Sequence, residues 1–139
     1  MTDATFEKVT ISDKPLYGPE KLILCGFSAA IQPKFEAVLG MAGLQKVPLV
    51  WAQDKQLETR LTELAALPSG AGSGESSTLP RAIIVAGITE RQLQTLMAVC
   101  RKTGMQQALW ATLTPTSETW LLNDLLEELA AEREALRKQ

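Results

Sequence analysis

The sequence predicts a small doubly wound α/β domain, flavodoxin-like in layout, on three observations. Four short apolar runs, at residues 21–27, 47–52, 82–88 and 108–113, are rich enough in Val, Ile and Leu to be strands buried on both faces. Each is followed by a stretch with helical spacing, and this alternation implies a four-stranded parallel sheet with right-handed crossovers and helices on both faces. Pro48 cannot donate a ladder hydrogen bond, so the second strand lies at an edge or begins just there. The order 2-1-3-4 meets that condition and puts a switch-point crevice above the carboxyl ends of strands one and three.

With 139 residues, 45% of them apolar, the chain can bury one core. The organisation expected is an amino-terminal extension at 1–20 followed by a single domain at 21–139, with a flexible Gly/Ser-rich loop at 68–80. The net charge is -2 and the basic residues are scattered, so no nucleic acid and no membrane surface is expected as a partner. The first twenty residues carry Asp3 and Glu7 and no unbroken apolar stretch, unlike a secretory signal or a membrane span, so the expected location is the cytoplasm. This extension either wanders or adds a short strand at 8–11.

Cys25 and Cys100 are too few and too far apart for a disulfide framework or a CxxC-type zinc site, and both read as free, buried thiols. The chain has no histidine, which removes the commonest general base, the commonest metal ligand and every Ser/His or Cys/His dyad. No cofactor, metal site or catalytic constellation is expected, and the balance leans away from an enzyme.

The first helix is expected from about Gln32, where Pro33 suits a first turn, to a stop at Gly43, burying Phe35, Val38, Leu39 and Ala42. The second is expected from about Lys55 to Leu67. In the third, Thr89 and Gln92 form a T-x-x-Q capping box, Ile88 and Leu93 form a hydrophobic staple, and Gly104 marks the end. The tract 68–80 follows a helix and opens a strand, the reverse of a phosphate-binding loop, so it should hang away from the crevice. In the fourth helix, Leu121, Leu122, Leu125, Leu126, Leu129 and Leu136 fall within roughly 140° at 100° per residue, a core stripe. Its end should be solvated and supported by a Glu134–Lys138 pair.

Four loops should then converge on the crevice, carrying Gly26 and Ser28, Asp54 and Lys55, Gly87 and Thr89, and Thr114, Thr116 and Ser117. Their hydroxyls and the nearby helix amino termini suit a small anion, although capping is the ordinary employment of Ser and Thr at such places. Response-regulator receivers share the layout, but the paired acids, the phosphoacceptor Asp and the Lys they need are missing here. Thr114–Pro115 is a candidate cis bond. Trp120 follows directly, and it either projects from the polar side of the helix or precedes the helix and packs inward.

The run Leu113-Thr114-Pro115-Thr116-x-x-x-Trp120, followed by leucines and acids, resembles the ending of a small bacterial family known only as a domain of unknown function. Gly26-Phe27 after the first strand and Gly87 near the end of the third add to the likeness. Its terminal pattern is L-T-P-T-N-x-x-W, and Ser117 stands where the pattern has Asn. The resemblance implies no activity. The leading expectation is a non-enzymatic regulatory or protein-interaction domain, self-associating or with another partner, using the surface around Thr114 to Trp120. The alternative is a binder of a small anionic or nucleotide-like ligand at Gly26, Ser28, Gly87, Thr89, Thr114, Thr116, Ser117 and Trp120, and a weaker one is an enzyme using Asp54 and Lys55.

Overall fold

A computed structural model describes residues 13–105 and 108–137. The strand expected at 8–11, and Lys138 of the pair expected with Glu134, lie outside them. In chain order the elements are β1 (Lys21–Cys25), α1 (Gln32–Met41), β2 (Leu49–Trp51), a 3-10 turn (Asp54–Gln56), α2 (Leu61–Ala65), β3 (Ala82–Ala86), α3 (Glu90–Lys102), β4 (Leu109–Thr112), a second 3-10 turn (Ser117–Thr119) and α4 (Leu122–Arg137).

The strand order is β2-β1-β3-β4, as the edge position of Pro48 implied, but the sheet is mixed rather than parallel. β1 runs with β2 and β3 runs with β4, whereas β1 and β3 are antiparallel, with Lys21 opposite Ala86 and Cys25 opposite Ala82. The reason lies in the connection between β2 and β3. After β2, the short α2 returns the chain toward the start of β1, where the Lys21 ammonium donates to the Leu67 carbonyl. From there a parallel β3 was within reach.

Residues 69–72 instead climb the outer edge of β2: the Gly70 amide donates to the Leu49 carbonyl at 2.8 Å and the Trp51 amide to the Ala71 carbonyl at 2.8 Å. Gly72, at φ +81, passes so close that a Cβ would lie 2.1 Å from the Trp51 carbonyl oxygen. Residues 73–79 then cross the end of β1, where the Ser77 amide donates to the Phe27 carbonyl at 3.3 Å. The chain enters β3 from the far end. This extra traverse reverses β3, and it lays the Gly/Ser-rich tract over the carboxyl ends of β1 and β2 rather than away from them.

Both faces of the sheet are covered, as expected. Leu22, Leu24, Ile83 and Val85 pack with Phe35, Val38 and Leu39 of α1 and with Leu96 and Cys100 of α3. Ile23, Cys25, Ala82, Ile84 and Ala86 pack on the other side with Leu61 and Leu64 of α2 and Leu122, Leu125 and Leu126 of α4. Leu136, assigned to the leucine stripe, is 68% exposed, and the stripe is buried at Leu122, Leu125 and Leu126.

The capping box of α3 forms in both directions: the Gln92 amide donates to Thr89 Oγ1 at 3.0 Å and the Thr89 amide to Gln92 Oε1 at 2.8 Å. The helix expected from Lys55 to Leu67 is broken into two pieces. Its middle carbonyls are taken by α4, whose Leu122 and Asn123 amides donate to the Thr59 and Leu57 carbonyls. Among the described residues no helix is long and apolar enough to cross a membrane.

Candidate functional site

Reversal of β3 divides the expected crevice. Gly26, Ser28, Asp54 and Lys55 stay at the carboxyl end of β1, while Gly87, Thr89, Thr114, Thr116, Ser117 and Trp120 lie at its amino end, about 13 Å away by the rise of β1. The eight candidate ligand positions, Gly26 and Ser28 at one end and the other six at the opposite end, therefore do not share one pocket.

At the first end, Gly26 has φ +79, and a Cβ there would meet the Leu79 carbonyl oxygen at 2.4 Å. That glycine admits the returning chain. Gln32, buried, accepts from the Gly74 amide at 2.7 Å and donates to the Glu75 carbonyl at 2.9 Å, while Ser76 Oγ accepts from the Ala29 amide at 2.8 Å. Asp54 accepts from Ser77 Oγ and from the Thr78 amide, both at 2.9 Å, and from the Thr78 hydroxyl. Its carboxyl is held below its ordinary value by these bonds, those from Thr78 foremost.

Asp54 is thus a clamp on the tract. A carboxylate whose folded-state pKa is depressed contributes above its unfolded pKa of about 3.9 and loses the contribution as pH falls through the folded value. The Thr78 amide is expected to lose hydrogen-exchange protection below about pH 4, earlier than the β1 amides. Loss of protection at the same pH for both sets would remove the clamp role.

At the second end, Gly87 at φ +74 admits Pro19 and Glu20, whose backbone atoms would lie 2.4–2.6 Å from a Cβ. Thr114 and Ser117 form a reciprocal box, with the Thr114 amide donating to Ser117 Oγ at 3.0 Å and the Ser117 amide to Thr114 Oγ1 at 2.9 Å. Thr116 lends its carbonyl to the Thr119 hydroxyl at 3.2 Å, and Tyr17 donates to Glu118 at 3.0 Å. Among the described residues no peptide bond is cis, so Thr114–Pro115 is trans.

Trp120 precedes the helix in extended conformation and is half-buried against Leu125-side core residues, the inward of its two expected placements. Its carbonyl accepts from the Leu61 amide at 3.0 Å, as the Thr59 carbonyl does from the Leu122 amide at 2.9 Å. The starts of α2 and α4 therefore cap one another. At the α3 start the Gln92 amide is likewise taken, by the Thr89 hydroxyl, so several of the first-turn amides that could face an anion bond within the protein.

Three carboxylates, Asp124, Glu127 and Glu128, border a notch of about 380 Å³ beside Trp120. All three are exposed on one helix surface, with Glu127 accepting from Asn123 at 3.3 Å. That is a solvated acidic face rather than an enclosed acid–base pair. Burial raises the Cys25 thiol to about 12 and the Cys100 thiol to about 11, which keeps both protonated and unreactive at neutral pH.

The apolar run at 108–113 predicts β4 as a strand but not its outer edge as a surface. Trp110 and Leu129 line two grooves, of about 360 and 370 Å³, that run along the outer edge of that strand. Leu93 and Met97 of α3 wall one, and Leu136 of α4 walls the other. A tryptophan inside an apolar run at the last strand in the order was the available signal.

Comparison with curated proteins and with solved structures gives no match. Residues 81–136, which take in β3, α3, β4 and nearly all of α4, are similar to the family described as Domain of unknown function (DUF3783).

Proposed function

We propose that this chain is a non-enzymatic protein-interaction domain that docks its partner along the outer edge of β4. The observation that carries this reading is the unequal treatment of the two sheet edges. The β2 edge is covered by residues 69–72 and preceded by Pro48. Along β4, Leu109 and Leu113 donate inward to the Arg81 and Val85 carbonyls, so by strand alternation Trp110 and Thr112 turn their N–H and C=O groups outward.

The Arg133 guanidinium reaches the Ala108 carbonyl just before β4, and no described residue pairs with the outward groups of Trp110 and Thr112. The four residues of β4 include no charge and no proline to blunt the edge, and half-buried apolar side chains flank it. An extended edge beside two grooves that share Trp110 and Leu129 suits strand addition, with main-chain bonds for affinity and grooves for selectivity.

The Thr114-to-Trp120 turn serves this surface from a distance. By fixing where α4 starts, it sets the line along which Leu129 and Leu136 pass β4. The other functional reading, an anion site at the strand ends, has fewer first-turn amides to draw on, since the Leu61, Gln92, Leu122 and Asn123 amides already have partners.

A photo-crosslinking amino acid at Thr112, which is exposed, should trap a second polypeptide in cells expressing the protein. The same group at Met41, 61% exposed on α1, should not. Absence of any adduct from position 112 would retire the proposal.

A further inference from the structure

We infer that the polypeptide docked on β4 is a second copy of this chain, its β4 antiparallel to the first across a two-fold axis at Ala111. This rests on the reading of the β4 edge as a docking surface. Trp110 and Thr112 are the outward-facing residues, and they flank Ala111 symmetrically. In a register that sets Ala111 opposite Ala111 of the copy, Trp110 lies opposite Thr112 of the copy, and all four outward N–H and C=O groups on each strand find partners. The residue on the axis belongs to a non-hydrogen-bonded pair, where side chains come closest, and alanine is small enough for that place.

Charge on α3 fits its own inverse. Glu90, Met97 and Arg101 lie at spacings of seven and four, within an arc of about 40° on the helix and beside Leu93. Leu93 and Met97 face the β4 groove together with Trp110 and Thr112. An antiparallel copy of α3 sets Glu90 against Arg101 of the copy at both ends, with Leu93 and Met97 between. On the other face, Leu136 stands among Glu132, Arg133 and Arg137, so both signs border the apolar surface that the copy would cover. An isologous interface requires such self-complementarity.

Sedimentation equilibrium of the purified full chain tests this directly. The wild type should show a concentration-dependent dimer of the 15.1 kDa chain. Thr112→Pro removes an outward N–H and leaves the β3 ladder its bonds, so it should be monomeric while keeping its circular dichroism and cooperative unfolding. Glu90→Arg and Arg101→Glu should each weaken association roughly tenfold, and the double variant should recover it.

A wild type that stays monomeric at roughly millimolar concentration overturns the inference, as does a dimer indifferent to Thr112→Pro or without rescue in the double variant. A monomer that dimerises only after removal of residues 1–12 also overturns it, because the edge would then be taken by the chain's own amino terminus. Crosslinking at Thr112 to a different protein, with a monomeric chain, overturns the second copy while leaving the docking reading standing. No crosslink at all removes both.

Discussion

Replacing Gly26 by alanine should destabilise the domain by about 3 kcal/mol or more, whereas the same change at Gly104 should cost only about 1 kcal/mol. Both glycines have left-handed backbone, at φ +79 and +82, so both lose conformational freedom alike. They differ in what a methyl group meets. At Gly104 there is nothing within 4 Å, while at Gly26 the Leu79 carbonyl oxygen would be 2.4 Å away and the Arg81 backbone 2.7 Å. Neither neighbour is a side-chain end that can swing aside, so β1 or the start of β3 would have to move. Urea unfolding of the two variants isolates the crossing, since their common backbone term cancels. Equal losses at the two positions would mean that the tract does not cross β1 as closely as described.

Phe35→Ala should cost about 3–5 kcal/mol, the usual range for deleting a buried aromatic ring. The Phe35 ring is 0% exposed and lies 5.0 Å from the Phe27 ring and 6.4 Å from the Trp51 ring, the latter edge-on. Phe27 meets Trp51 edge-on as well, at 5.6 Å, and Arg81 lies over Phe27 at 4.7 Å. The three rings join α1, β2 and the turn after β1, so a cavity there loosens the wall on which the tract rests. For a domain of this size the loss corresponds to roughly 10 °C in Tm. A fall of less than about 3 °C would show that neighbours refill the space, and that the ring cluster is not a keystone.

Side-chain pattern carried the parts of the fold that side chains decide. Thr89 and Gln92 stood three apart before an apolar helical stripe, and the box they form is present. Pro48 placed β2 at an edge, where it is. Phe35, Val38 and Leu39 were assigned to the core from spacing alone and are buried. Strand direction was not legible because it depends on how often a connection crosses the sheet, and the extra crossing is made by Gly70, Ala71 and Gly72 through main-chain bonds.

Composition marks such a segment as a linker, since it has no periodicity to read. Convergence of Gly26 with Thr114 requires a parallel β3, and the antiparallel β3 separates them. The residue types of Thr114 and Ser117 imply capping groups, but that they cap one another depends on the fold of the turn. The β4 edge escaped notice for a related reason: an outward N–H belongs to the backbone, and only the neighbour's register reveals which residues turn theirs out.

The antiparallel pairing of β1 with β3 also makes a seam. On one side lie β1, α1, β2 and α2, a parallel pair with its helices; on the other lie β3, α3, β4 and α4, a second parallel pair with its own. The family similarity begins one residue before β3 and falls wholly on the second side. That segment taken alone would be a half-sheet with two bare margins, the outer one of β4 and the inner one where β1 now sits. In this chain the first half acts as the built-in companion that closes the inner margin, and among the described residues the outer one stays open.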